Sequence, residues 1–260
     1  MTVLRTIRIV IALATLVAPL TASRLPAADS PPQLTPTASA HLSIDQVVDN
    51  LVRMNAQRAR DLLHSEATRV YRLIYRGFPG DRQAEMTVEA TYDSPSSKEF
   101  KVTSQSGSKL ILDRVFKRLL DSEKEAAQPA MSARTQLNRD NYNFELVGYE
   151  ATAGGGQYLL SVSPKLKSKY VYRGKVWVDA TDFAVTRIEA EPAQNPSFWT
   201  KKNEIHHEYT KVGAFWLPER NESVSYIRLG GSATLTIEYK NYRVTNARQT
   251  SAAPAASLAR

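Results

Sequence analysis

Between residues 43 and 64, Ile44, Val47, Val48, Leu51, Met54, Ala59, Leu62 and Leu63 recur every three or four positions. That is the spacing of one buried helix face. Arg53, Asn55, Arg60 and Asp61 lie off the stripe, and Ser43 precedes Gln46 by three residues as in a capping box. The pattern predicts a first helix over Ser43 to His64, packed on a sheet. From Thr68 the period falls to two. Met86, Val88, Ala90 and Tyr92 alternate with Glu85, Thr87, Glu89 and Thr91, so Glu85 to Tyr92 reads as a strand with the apolar set inward. Asp93-Ser94-Pro95-Ser96 reads as a turn. Lys98 to Ser104 returns as a strand with Phe100 and Val102 on one side.

The alternation continues through Asn143 to Tyr149, Gln157 to Ser163, Tyr170 to Val178, Phe183 to Glu191, Lys201 to Val212, Glu219 to Leu229 and Ser232 to Val244. The connectors are tight, among them Gly154-Gly155-Gly156, Asp179-Ala180-Thr181-Asp182 and Gly230-Gly231. Short links between long alternating strands predict antiparallel neighbours in a meander. One segment breaks the pattern. From Ser108 to Ala126, Ile111, Leu112, Val115, Phe116, Leu119 and Leu120 form a broad apolar stripe at helical spacing. Asp113, Arg114, Lys117, Arg118, Asp121 and Lys124 take the other face, and Ser106 or Ser108 supplies the N-cap. The fold class is α+β: a curved antiparallel sheet, an incomplete β-barrel, with helices covering an apolar cavity. Val147 to Tyr149 and the loop Pro192 to Trp199 fall near its rim.

The ends of the chain carry different information. Arg5 and Arg8 precede an apolar run, Ile9 to Ala22, and small residues follow at Ala22-Ser23 and Ala27-Ala28. That order describes a secretory signal peptide over residues 1–28. The run contains Pro19 and is shorter than the ~20 residues needed to span a bilayer. Residues 29–41 read as a Pro-rich linker, 42–246 as one domain without an internal repeat, and 247–260 as a frayed tail. The 260 residues contain no cysteine, which excludes disulfides, thiolate metal sites and cysteine nucleophiles. The net charge is +8, with Lys and Arg scattered. Cleavage after Ala28 removes Arg5, Arg8 and Arg24 and no acid. No concentrated basic face remains for nucleic acid.

Candidate chemistry is sparse. His206 and His207 are adjacent on a strand and point to opposite faces. Glu204, His206 and Glu208 share a face and would be the set for a divalent ion, with an exposed polar strand face as the plainer reading. Ser106 three residues before Lys109 has the spacing of penicillin-recognising enzymes, but no Lys-Thr-Gly follows anywhere. Gly154 to Gly156 precede a strand and not a helix, so they form a turn and not a phosphate cradle. No catalytic set, metal or cofactor is predicted. The residues that remain are apolar: Met86, Val88, Tyr92, Phe100 and Val102 on the sheet, with Leu112, Val115, Phe116 and Leu119 on the second helix. They would line a ligand cavity and its lid. Periodicity admits equally a fully packed core with the helix as a permanent part.

A resemblance adds to this. Tyr172-Arg173-Gly174-Lys175-Val176-Trp177-Val178-Asp179, returning through Val185-Thr186-Arg187-Ile188-Glu189, resembles the strand pair of the outer-membrane lipoprotein-sorting family. Phe215-Trp216-Leu217-Pro218 and the alternation Ala233, Leu235, Ile237, Tyr239, Tyr242 are similar to that family's closing strands. The resemblance implies a half-barrel with a helical lid over a hydrophobic cavity. It implies a periplasmic, non-enzymatic, monomeric carrier of lipid or lipoprotein acyl chains, passing them from an inner-membrane donor to an outer-membrane acceptor. The alternative it implies is a lipid-sensing regulator of an envelope-stress anti-sigma partner.

Overall fold

A computed structural model describes residues 41–151, 155–195, 198, 200–228 and 230–246. The expected signal peptide, nearly all of the linker, the tail, Gly154, Trp199 and Leu229 lie outside the described residues. The chain opens with α1 (Ile44–Asp61). The Ser43 hydroxyl accepts from the Gln46 amide, and the Gln46 side chain accepts from the Ser43 amide. This reciprocal cap satisfies two amides that the first turn would otherwise leave free. Val47, Val48, Leu51 and Ala56 are buried.

The helix ends three residues earlier than the sequence pattern predicts. Leu62, Leu63 and His64 already belong to β1 (Leu62–Arg76), which starts well before the expected Thr68. The reason is non-local. Leu62 pairs with Asn246 and His64 with Asp93, and strand pairing outcompetes a last helical turn. The helix end is tied down from elsewhere, because the Arg58 guanidinium donates to the carbonyls of Asp182 and Phe183.

β2 (Arg82–Asp93) pairs antiparallel with β1, and β3 (Ser97–Gly107) pairs antiparallel with β2. The helical segment comes next. It is not the continuous α-helix that the apolar stripe predicts. α2 (Lys109–Ile111) passes into a π turn (Leu112–Phe116) and then α3 (Lys117–Ala126). The Lys117 amide reaches back to the Leu112 carbonyl, the five-residue step that widens a helix. Ser108 holds the N-cap position, but its hydroxyl makes no capping bond. A further helix, α4 (Pro129–Thr135), was not predicted, since its buried side chains are Ser132 and Thr135 and it has no apolar stripe.

β4 (Tyr142–Glu150), β5 (Gln157–Pro164), β6 (Tyr172–Asp179), β7 (Val185–Pro192), β8 (Thr200–Val212), β9 (Phe215–Ile227) and β10 (Ser232–Asn246) run as a meander. β10 then pairs with β1, giving one ten-stranded sheet in the order β3-β2-β1-β10-β9-β8-β7-β6-β5-β4. β3 and β4 are its two edges, so the sheet is not closed into a barrel. Helices pack on its inner face in two places. α1 shares a core with Leu160, Val162, Val176, Val178 and Ile188 of β5 to β7. The segment from α2 to α3 shares another with Tyr71, Leu73, Met86, Val88, Leu235 and Ile237 of β1, β2 and β10. Between these halves, β8 and β9 turn polar residues inward: Asn203, His207, Asn221, Ser223 and Ser225, all buried. The Ser223 hydroxyl donates to Asn203 Oδ1 at 2.8 Å and Asn221 Nδ2 donates to the Tyr239 hydroxyl at 2.9 Å.

Candidate functional site

The inner face of β1 to β3 is built by register. Tyr71 stands between Met86 and Ile237, and Arg69 between Val88 and Tyr239. Val88 in turn faces Val102, and Ala90 faces Phe100. Over this surface the helical segment lays Ile111, Val115, Phe116 and Leu119. Phe116 is 0% exposed and meets the Tyr71 ring at 6.1 Å between centroids.

Of the residues the sequence singled out, Met86, Val88, Val115, Phe116 and Leu119 are buried in one cluster, with Phe100 and Leu112 half-buried against it. Tyr92 and Val102 lie outside that cluster. Tyr92 is half-buried and its hydroxyl donates to the Pro95 carbonyl at 3.1 Å. Val102 is 46% exposed. The helix side chains thus occupy the face where the sequence reading put a cavity. At the rim, Val147 and Phe198 are exposed. A small cleft on the other half, lined by Tyr170, Tyr172, Ile188, Ile205 and His207, has room for about one water.

Three buried charged residues beside this face were missed. Glu123 of α3 is 1% exposed and continues the apolar stripe four residues beyond Leu119. Its Oε2 accepts from Arg69 Nη1 at 2.7 Å and its Oε1 from the Tyr71 hydroxyl at 3.2 Å. Burial acts to lower the Arg69 pKa, but the Glu123 carboxylate together with the Tyr71 and Tyr239 phenols outweighs it and holds that pKa well above the usual value. Burial pushes the Tyr71 phenol up. The Arg69 guanidinium also lies over the Phe100 ring at 5.3 Å and the Tyr239 ring at 5.0 Å. The third residue is Lys98, the buried start of β3's inner face. Its ammonium has no hydrogen-bond partner, and burial pushes its pKa down to about 8. Strand parity carried the signal: Lys98 alternates in phase with Phe100, and Arg69 with Tyr71. Charged residue types read as outward-facing unless a partner is visible.

The polar candidates do not assemble. Glu204, His206 and Glu208 point outward along β8, where Glu204 is engaged by Lys202 and the Tyr226 hydroxyl. Among the described residues no three His, Asp or Glu side chains approach closely enough to hold a metal ion. Ser106 and Lys109 are exposed.

The strand-pair motif has a packing explanation. Gly174 lets β6 approach β7, since a Cβ there would overlap the Glu189 carbonyl oxygen. Trp177 is covered by the Arg187 guanidinium at 3.7 Å and donates from Nε1 to Glu150 at 3.1 Å.

Known structures with a related layout can now be placed beside this geometry. A domain described as an outer membrane lipoprotein-sorting protein, from Vibrio parahaemolyticus, is 14% identical over 77% of this chain and 92% of its own, with a TM-score of 0.41. A DUF1329 family protein from Desulfovibrio piger is 16% identical over 77% of this chain and 92% of its own, at 0.40. A LolA superfamily protein from Nitrosomonas europaea is 11% identical over 78% and 94%, at 0.36. No family model matches the chain, and no curated protein does.

Proposed function

We propose that this protein is a periplasmic, non-enzymatic carrier of an acylated or lipidic ligand, and that the segment from α2 to α3 is its lid. One observation carries the reading. The lid contributes no strand to the sheet and is held against it by an apolar stripe, the bonds of Glu123 to Arg69 and Tyr71, and a bond from the Tyr170 hydroxyl to Glu125. Acyl chains can replace such a stripe methylene for methylene, each contributing about 0.8 kcal/mol. The apolar surface also continues past the lid to half-buried Phe100 and exposed Val102, which gives a chain a place to enter. Met86, Val88, Tyr92, Phe100 and Val102 would be the floor, and Leu112, Val115, Phe116 and Leu119 the part that lifts. Release requires the same opening. That suits transfer as a monomer from an inner-membrane donor to an outer-membrane acceptor. The basic start and short apolar run at the N-terminus support export.

The test is displacement of an uncharged fluorescent lipid probe by wild type and by Phe116→Asp. Wild type should bind the probe. The variant should not, because a carboxylate is costly in an apolar site. A wild-type protein that binds no lipid probe, uncharged or anionic, leaves the helix as permanent core and ends the carrier reading.

A further inference from the structure

The two sheet cations under the lid are not balanced by its one carboxylate. Lys98 of β3 and Arg69 of β1 flank Phe100 on the inner face, and Glu123 and Arg69 both act electrostatically on Lys98. Glu123 is already shared between Arg69 and Tyr71. The Lys98 ammonium and Arg69 Nε are buried with no acceptor. The site therefore holds spare N–H donors and an excess of one positive charge, and both call for an anion. It also sits directly beside the acyl floor, since Phe100 follows Lys98 on the same face and touches Arg69.

We propose that Lys98 and Arg69 form a receptor for the anionic head of the carried amphiphile, a carboxylate or a phosphate monoester, and that Glu123 occupies part of this place while the lid is closed. The inference rests on the carrier reading and adds the ligand's charge to it. When the lid lifts, Glu123 leaves with α3 and the ligand's acid takes over its bonds to Arg69. The same acid gives Lys98 the partner it lacks. The closed protein is thus a stand-in complex, with a side chain of the lid imitating the head group. A neutral lipid could fill the apolar floor but would leave two buried cations unpaired, so it should be discriminated against.

The experiment compares hexadecanoate, hexadecyl phosphate, hexadecanol and inorganic phosphate, below micellar concentration, as competitors of an uncharged pyrene-alkanol probe. At least one of the two anionic amphiphiles should bind about tenfold or more tighter than hexadecanol, and the tighter of them identifies the head group. Inorganic phosphate should not compete. In Lys98→Met the advantage should shrink to about threefold or less, with hexadecanol affinity unchanged. Lys98→Arg should keep the preference. Melting temperatures confirm that each variant is folded. Equal binding of hexadecanol and both anions by wild type overturns this proposal and leaves the carrier reading standing. Inorganic phosphate binding as tightly as hexadecyl phosphate also overturns it, by showing a free-anion site. Failure of every amphiphile to bind removes the carrier reading, and this one with it.

Discussion

His207 faces inward from β8 with 7% of its surface exposed, and burial, helped by His206, pushes its pKa down to about 4. Lys98 is the second buried base, brought down to about 8. Both are bases whose charged form the fold resists, so the sign is the same for each. Between about pH 4 and 6.5 the unfolded chain protonates His207 and the folded chain does not, so stability is lost as pH falls through that window. Between about 8 and 10.5 the unfolded chain still carries the Lys98 proton and the folded chain has shed it. Stability therefore rises with pH there. Each slope should amount to a few kcal/mol at most, since one pKa unit corresponds to about 1.4 kcal/mol. Urea midpoints measured from pH 4 to about 9 should show both slopes; nearer pH 10 the buried tyrosines, whose phenols burial pushes up, ionise on unfolding and turn the curve down. His207→Gln should flatten the acid one, and Lys98→Met should flatten the alkaline one while raising stability at pH 7. An alkaline slope unchanged in Lys98→Met would place that lysine in water rather than under the lid.

The lid shows at the level of one element what was legible and what was not. Its position and its buried face follow from Ile111, Val115, Phe116 and Leu119, because an apolar stripe is a local signal. The π turn within it left no such signal, since Leu112 to Phe116 suit either geometry by residue type. The end of α1 was misread for the opposite reason: Leu62 and Leu63 continue the helical stripe, and only the distant partners in β10 and β2 make them strand. The short α4 buries Ser132 and Thr135 and so escaped a search for apolar periodicity. Phe116 tests whether the lid is a lid. In a rigid core Phe→Ala costs about 3–5 kcal/mol. A segment that opens to admit chains should lose clearly less, as its surroundings relax into the space. Denaturant unfolding of Phe116→Ala, with an unchanged slope against denaturant, gives the number. The full core penalty would argue for a permanent helix.

At the scale of the whole molecule, the sheet order bears on the proposed opening of the lid. β10 pairs with β1, so β1 to β3 lie at the opposite end of the sheet from β4 to β7, while the Tyr170 hydroxyl, just before β6, donates to Glu125 of α3. The polar strip of Asn203, His207, Asn221, Ser223 and Ser225 separates the two apolar clusters. Apolar contacts are what lock side chains together at native density, and a polar strip interrupts that lock. The α1 half is anchored besides by Arg58 on the carbonyls of Asp182 and Phe183, and Asp182 also accepts from Trp216 Nε1 at 2.9 Å. Ligand binding should therefore alter amide exchange in Lys109–Ala126 and along β2 and β3, and leave α1 and β4 to β6 unchanged. Leu160→Ala, in the fully buried centre of the α1 cluster, should cost about 2–5 kcal/mol of stability without changing lipid affinity. Hydrogen exchange with and without a bound lipid, beside probe titration of Leu160→Ala, checks both. Protection that changes evenly across the sheet, or an affinity that falls with Leu160→Ala, would mean that the halves respond as one body and that opening is not confined to the lid.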